Sequence, residues 1–208
     1  MRYLGVISFL ALTGAVSAQF IAYRYPQVSG NQSFGGALGM DFNVNQGIFI
    51  TALGIFDSAQ NGIQNNIDCF IYNRDTQQIV ASRFFGPANM GLGDGTTNFL
   101  DLPSPIFLPS GFHGSIVAQG FGVLEQNGNS YTTANSFPVS MNTGGGLISF
   151  TGTSRYGNFG FFPTNTDLNV AQYGAGNFKF TSASPVPEPA TLAILGIGFA
   201  ALRRRRKA

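Results

Sequence analysis

His113 and Cys69 are the only imidazole and the only thiol in the 208-residue chain. Hydrolytic and redox centres need groups close enough to shift one another's pKa. A Ser-His-Asp arrangement around His113 is formally available, but the sequence has no GxSxG turn to present a nucleophile. His113 follows Gly111 and Phe112 at the start of a predicted strand and reads as a structural or surface histidine. Cys69 lies in an apolar run and reads as a buried, inert thiol, with no second cysteine for an intramolecular disulfide. With one histidine and one cysteine, a zinc site would rest on carboxylates, an improbable ligand set.

Calcium is the ion that oxygen-rich loops suit best. The run Asp57-Ser58-Ala59-Gln60-Asn61-Gly62 offers a carboxylate, an amide and a turn glycine, so Asp57 and Asn61 are the candidate metal ligands. Gly93-Asp94-Gly95-Thr96 is a second loop of this kind. Neither has the clustered carboxylates of an EF-hand, and an Asx-turn is the simpler reading of both. No other cofactor is expected. Paired carboxylates could cleave glycosidic bonds, but nothing in the sequence singles out a pair among the scattered acids. Exposed rings would stack on sugars, and Tyr23, Tyr25, Tyr131, Tyr156 and Tyr173 are the candidates. Most phenylalanines are expected in the core.

The elements that must position these residues are short and β-like. Strands are predicted over 19–25, 41–44, 48–56, 67–72, 78–85, 97–102, 113–119, 121–124, 147–151, 159–162 and 178–180, punctuated by Gly, Asn and Pro turns. Pro103, Pro105 and Pro109 bracket 106–108 as a short edge piece. The stretch 125–146 is polar with few periodic apolar positions, and no segment shows sustained helical periodicity. The expectation is an all-β, antiparallel β-sandwich or jelly-roll-like single domain, with a closed barrel as the second choice.

Residues 1–18 place Arg2 before an apolar stretch that ends in Val16-Ser17-Ala18, the layout of a signal-peptide helix cleaved after Ala18. At the other end, Val186-Pro187-Glu188-Pro189 precedes an apolar run over 190–202 and a basic stop of Arg203, Arg204, Arg205, Arg206 and Lys207. As a helix, the apolar run spans roughly 20 Å against a hydrocarbon core of about 30 Å, so it makes a short transmembrane helix. The basic stop holds the tail end in the cytoplasm, which puts everything before Pro185 outside. The two ends thus require the same topology, with 19–184 translocated between them. That body carries five basic residues against eight acids, so the basic precursor encloses a body of net charge −3. A nucleic-acid partner would need a basic face, and the body has none in sequence.

The tail resembles the PEP-CTERM sorting signal of Gram-negative bacteria, in its Val186-Pro187-Glu188-Pro189 motif, its short apolar helix and its Arg-rich end. The resemblance implies recognition by an exosortase, a membrane cysteine protease, with this chain as its substrate during transit of the inner membrane. The body, over 40–125, is also similar to a β-sandwich module of secreted bacterial proteins, a likeness that implies a fold more than an activity. The expectation is therefore a non-enzymatic, exported surface or extracellular-matrix protein, of the kind found in biofilms, in contact with extracellular polysaccharide. The alternative is a secreted polysaccharide-binding or polysaccharide-hydrolysing protein.

Overall fold

Between Ala37 and Val44 every second residue is apolar, and a strand of period two turns those residues to one face. Leu38, Met40, Phe42 and Val44 all lie in the main core, while Gly39, Asp41 and Asn43 face the other way. A computed structural model describes residues 18–130, 138–167 and 173–184. Across them this logic gives strands and one 3-10 turn, with no α-helix among the described residues. The leader through Ser17, Tyr131 and the tail from Pro185 onward, including the sorting motif and basic stop, lie outside the described residues. Among the described residues, no helix is long and apolar enough to cross a membrane.

In chain order the strands begin with β1 (Gln19–Ile21), β2 (Tyr23–Arg24), β3 (Ala37–Val44), β4 (Ile48–Phe56) and β5 (Ile67–Asn73). Next come β6 (Gln78–Phe85), β7 (Leu92–Asp94), β8 (Thr97–Leu108), β9 (His113–Gln119) and β10 (Gly128–Asn129). The last are β11 (Ser140–Met141), β12 (Ile148–Gly157), β13 (Asn165–Asp167), β14 (Tyr173–Gly174) and β15 (Gly176–Ser182). Two sheets dominate, with orders β1-β15-β4-β8-β7 and β13-β12-β3-β9-β5-β6.

All pairings are antiparallel, and their order is informative. Among β1, β3, β4, β5, β6, β8, β9 and β15, the first pairs with the last, the second with the seventh, the third with the sixth and the fourth with the fifth. A long hairpin rolled into two facing sheets gives this order, which is the jelly-roll arrangement. The sheets meet through aromatic rings: Phe42 of β3 and Phe178 of β15 lie 4.8 Å apart between centroids. Cys69, Ile116 and Ile71 fill one side of this core, and Ile48, Ile50, Leu53 and Ile55 the other.

Ile48 and Ile50 cannot share a face with Leu53 and Ile55 on a regular strand, because their parity differs. The register skips Thr51 against both neighbours of β4, and this bulge turns both pairs inward. The same region corrects the reading of Pro103 and Pro105 as a break. β8 runs unbroken from Thr97 to Leu108, and the prolines fall where its pairing with β4 jumps from Asp101 to Ile106. A bulge on a strand whose other edge is unpaired there demands no N–H from either proline.

Two other predicted strands are absent. Residues 121–124 form bends that leave Val123 84% and Leu124 72% exposed. Residues 159–162 form a turn around Gly160 at φ 85°, a left-handed conformation that glycine adopts without strain. That turn folds back over the outer face of the six-stranded sheet, where Phe162 packs with Tyr72 in a small second cluster.

Candidate functional site

β5 and β6 are joined by a turn that carries Asp75, and β9 starts beside it with His113. The imidazole Nδ1 lies 3.1 and 3.2 Å from the two Asp75 oxygens, in an exposed pair. Cys69 is buried on β5 with its Sγ 3.3 Å from the Gly54 carbonyl, and burial pushes the thiol up to about 12. Nucleophilic use of a thiol needs its thiolate, which this setting opposes.

The loop after β4 is built around two buried acids. Asp57 accepts the amide hydrogens of Asn61 at 3.2 Å and Gly62 at 3.1 Å, the pattern of an Asx-type turn. The Asn61 amide nitrogen, turned to meet two carbonyls, donates to Ser58 and Gly62. Glu125 reaches the same loop from the far side of the sequence, accepting from Ser58 N–H at 2.7 Å and Gln64 N–H at 2.8 Å. Burial raises both carboxyls above the usual range, and the Asp57 charge raises Glu125 further. Their oxygens thus tie backbone amides together in the interior. Among the described residues, no three His, Cys, Asp or Glu side chains form a cluster.

A third acid has cationic partners. Asp41 faces outward from β3 and is nevertheless buried, with both oxygens 2.8 and 2.9 Å from Arg155 Nε and one 3.4 Å from Arg74 Nη1. Arg155 in turn lies over the Phe162 ring at 5.1 Å. The strand alternation places Asp41 on the outer face, and Arg155 of β12 and Arg74 of the β5–β6 turn reach over it there.

The tyrosines divide sharply. Tyr23 and Tyr25 are core residues, and Tyr23 rests against Phe150 at 4.8 Å. They line a cleft of about 460 Å³ beside the Arg24–Asp94 pair, without offering an exposed ring face. Tyr156 is different: it is 37% exposed and opens onto a cleft of about 330 Å³ shared with Gln32, Phe34, Leu38, Asp167 and Tyr173. Tyr173 is buried and donates its hydroxyl to Asp167 Oδ2 at 3.0 Å, which fixes the carboxylate at the rim. Burial pushes the Tyr173 phenol well above its ordinary value, and acceptance by Asp167 adds to the shift.

Two of the lining residues, Gln32 and Phe34, are held by Asn127, a residue of the stretch that showed no periodic pattern. Its Oδ1 accepts the Phe34 N–H at 3.2 Å, and its Nδ2 donates to Gln32 Oε1 at 2.8 Å. The cleft can therefore present a ring, a carboxylate and an amide in fixed positions, the mixture that orients small polar ligands. Tyr156 was among the sequence candidates for stacking, while Asp167, Gln32 and Phe34 were not singled out.

The described chain leaves the body at Ser184, after an Ala183 N–H to Gly47 carbonyl bond at the end of β15. Directly beyond it the sequence turns to Pro185 and the Val186-Pro187-Glu188-Pro189 run, and residues 185–207 match a family model. They are a PEP-CTERM protein-sorting motif. The PEP-CTERM motif implies processing by an exosortase-type membrane protein and export through the membrane to the cell surface or extracellular space. No curated protein matches this chain. Among solved structures, the infectious bursal disease virus VP2 subviral particle aligns at 12% identity and a TM-score of 0.26, covering 98% of this chain and 54% of that one. A T13 viral particle of the same virus aligns equally weakly, with 51% of its chain covered. The chain thus spans about half the length of these viral chains, and at such scores nothing about it follows from them.

Proposed function

We propose that this protein is a non-enzymatic component of the cell surface or extracellular matrix of a Gram-negative bacterium, and that its body contacts extracellular polysaccharide. The sorting motif at residues 185–207 carries the first half of this reading. The second half rests on the Tyr156 cleft, which combines an exposed ring with Asp167 and Gln32. The binding reading is preferred to a hydrolytic one because Asp57 and Glu125, the interacting acids, spend their oxygens on backbone amides inside the body.

Expression of a tagged full-length chain in cells with and without an exosortase tests the delivery. The expected result is a smaller product, released from the membrane fraction, in exosortase-bearing cells alone. Unchanged mass and location in both strains would overturn it. Loss of polysaccharide binding in Tyr156→Ala tests the contact.

A further inference from the structure

The 158–164 turn exposes two phenylalanines, Phe159 at 56% and Phe161 at 70%, the most exposed phenylalanines among the described residues. Exposed rings on a loose loop would be unremarkable. These are held. The Gly160 N–H donates to the buried Gln119 Oε1 at 2.8 Å, and Gln119 Nε2 donates to Asp68 Oδ2 at 3.2 Å. Phe162 is clamped between the Tyr72 ring at 5.3 Å and the Arg155 guanidinium. The backbone on either side of Phe161 is thus fixed from below while its ring points away, and fixed presentation lowers the entropy lost on binding.

Beside Phe161 lies a cleft of about 290 Å³ whose polar groups are the amides of Gln77, Asn158 and Asn165 and the hydroxyl of Thr164. It has no charged side chain in its lining. A flat apolar ring flanked by neutral donors and acceptors matches a sugar, which has an apolar C–H face and an equatorial rim of hydroxyls. The first cleft adds one carboxylate, Asp167, and no cation. Neutral glycans fit both, whereas a polyanionic chain would meet Asp167 without a counter-charge.

The two clefts share one short strand. Asn165 lines the Phe161 cleft and Asp167 lines the Tyr156 cleft, two residues apart, about 7 Å, on the strand that forms the edge of the six-stranded sheet. Tyr156 shares the face of Leu38, whereas Gly157 and Phe162 lie on the outer face, so the clefts flank that edge from its two sides. Tyr156 sits directly across from Asn165 on β12. We infer that the β12–β13 hairpin carries two neighbouring subsites for a neutral polysaccharide, so that the ligand is a chain passing around the β13 edge from one face to the other rather than a single sugar. The inference rests on the polysaccharide reading above and adds the second subsite, the neutrality and the polymeric nature of the ligand. A chain filling both subsites gains from tethering, so affinity rises with chain length until both are covered.

The test is titration of the full chain in detergent with neutral gluco-, manno- and galacto-oligosaccharides, from disaccharide to octasaccharide. Polyuronate oligomers and phosphatidylglycerol vesicles are run beside them. At least a tenfold gain in affinity from disaccharide to hexasaccharide is expected for one neutral series. Phe161→Ala, a change at an exposed ring checked by an unchanged melting curve, should remove that gain and leave disaccharide binding intact. Length-independent binding, or a length dependence that survives both Phe161→Ala and Gln77→Ala, overturns the second subsite alone. Tighter binding to the polyuronates or to the vesicles overturns the neutral-glycan assignment. Failure of every oligomer to bind, or binding indifferent to Tyr156→Ala, overturns the polysaccharide reading and this inference with it.

Discussion

Gln19 and Thr181 stand directly opposite one another on β1 and β15. The first strand of the body and its last therefore run side by side, and both ends leave from the same end of the five-stranded sheet. Tyr173 and Asp167 lie beyond the opposite end of β15, whose seven residues span about 23 Å. The candidate cleft thus sits at the end of the sandwich away from the point where the chain continues toward the sorting motif.

That pairing gives a graded test. Phe180 is fully buried and Phe20 is only partly so, with their rings 5.4 Å apart. Phe180→Ala should destabilise the body by about 3–5 kcal/mol, the usual range for a core phenylalanine. Phe20→Ala should lose roughly half as much, because less of its surface leaves water. Urea unfolding midpoints measure both, and equal losses would contradict the packing described.

Asp41→Ala should be the most damaging single change at a charge. It would leave Arg74 and Arg155, both mostly buried, without their shared carboxylate. Removing one partner of a buried ion pair costs about 3–5 kcal/mol. Arg74→Ala should cost less, since the Arg155 contacts at 2.8 and 2.9 Å survive it. Denaturant titration of the two variants ranks them.

Glu125 makes stability depend on pH in a direction opposite to a salt-bridged acid. Its carboxyl is raised above the ordinary 4.5, mainly by burial. Between 4.5 and the raised value the folded state holds more protons than the unfolded state, so this group's contribution falls as pH rises through that window. Glu125→Gln keeps the shape and removes the titration. The stability of wild type relative to Glu125→Gln should therefore decline as pH rises through that window, and unfolding curves at a series of pH values would show it. A rising difference would mean that the carboxylate is stabilised by charge rather than penalised by burial.

Cys69 should resist thiol reagents in the native protein and react fully once unfolded. Its thiol is pushed up to about 12 and has no access to solvent. Stoichiometric labelling without denaturant would place it in a mobile or exposed strand instead.

The strands Ile48–Phe56, Gln78–Phe85 and His113–Gln119 were legible to the residue, since each is a β-rich run between turn residues. Residues 121–124 and 159–162 have the same apolar composition and are bends and turns. Composition reports what could be buried, and only a neighbouring strand decides whether it is. Pro103 and Pro105 misled for a related reason: the missing N–H matters only where a partner strand would accept it.

The sorting motif was readable because it is continuous. Val186, Pro187, Glu188 and Pro189 adjoin the apolar run and the basic stop, and a bilayer and a protease read such a segment locally. The all-β class was also determined by sequence, through period-two patterns and turn residues that act over a few positions. The Tyr156 cleft was not, because Gln32, Phe34, Asn127, Tyr156, Asp167 and Tyr173 come together only when the rolled hairpin closes. Burial of Asp41 and Glu125 was hidden for the same reason. A residue's local alternation fixes the face it takes on its own strand, but what covers that face comes from parts of the chain a hundred residues away, and only the tertiary structure supplies it.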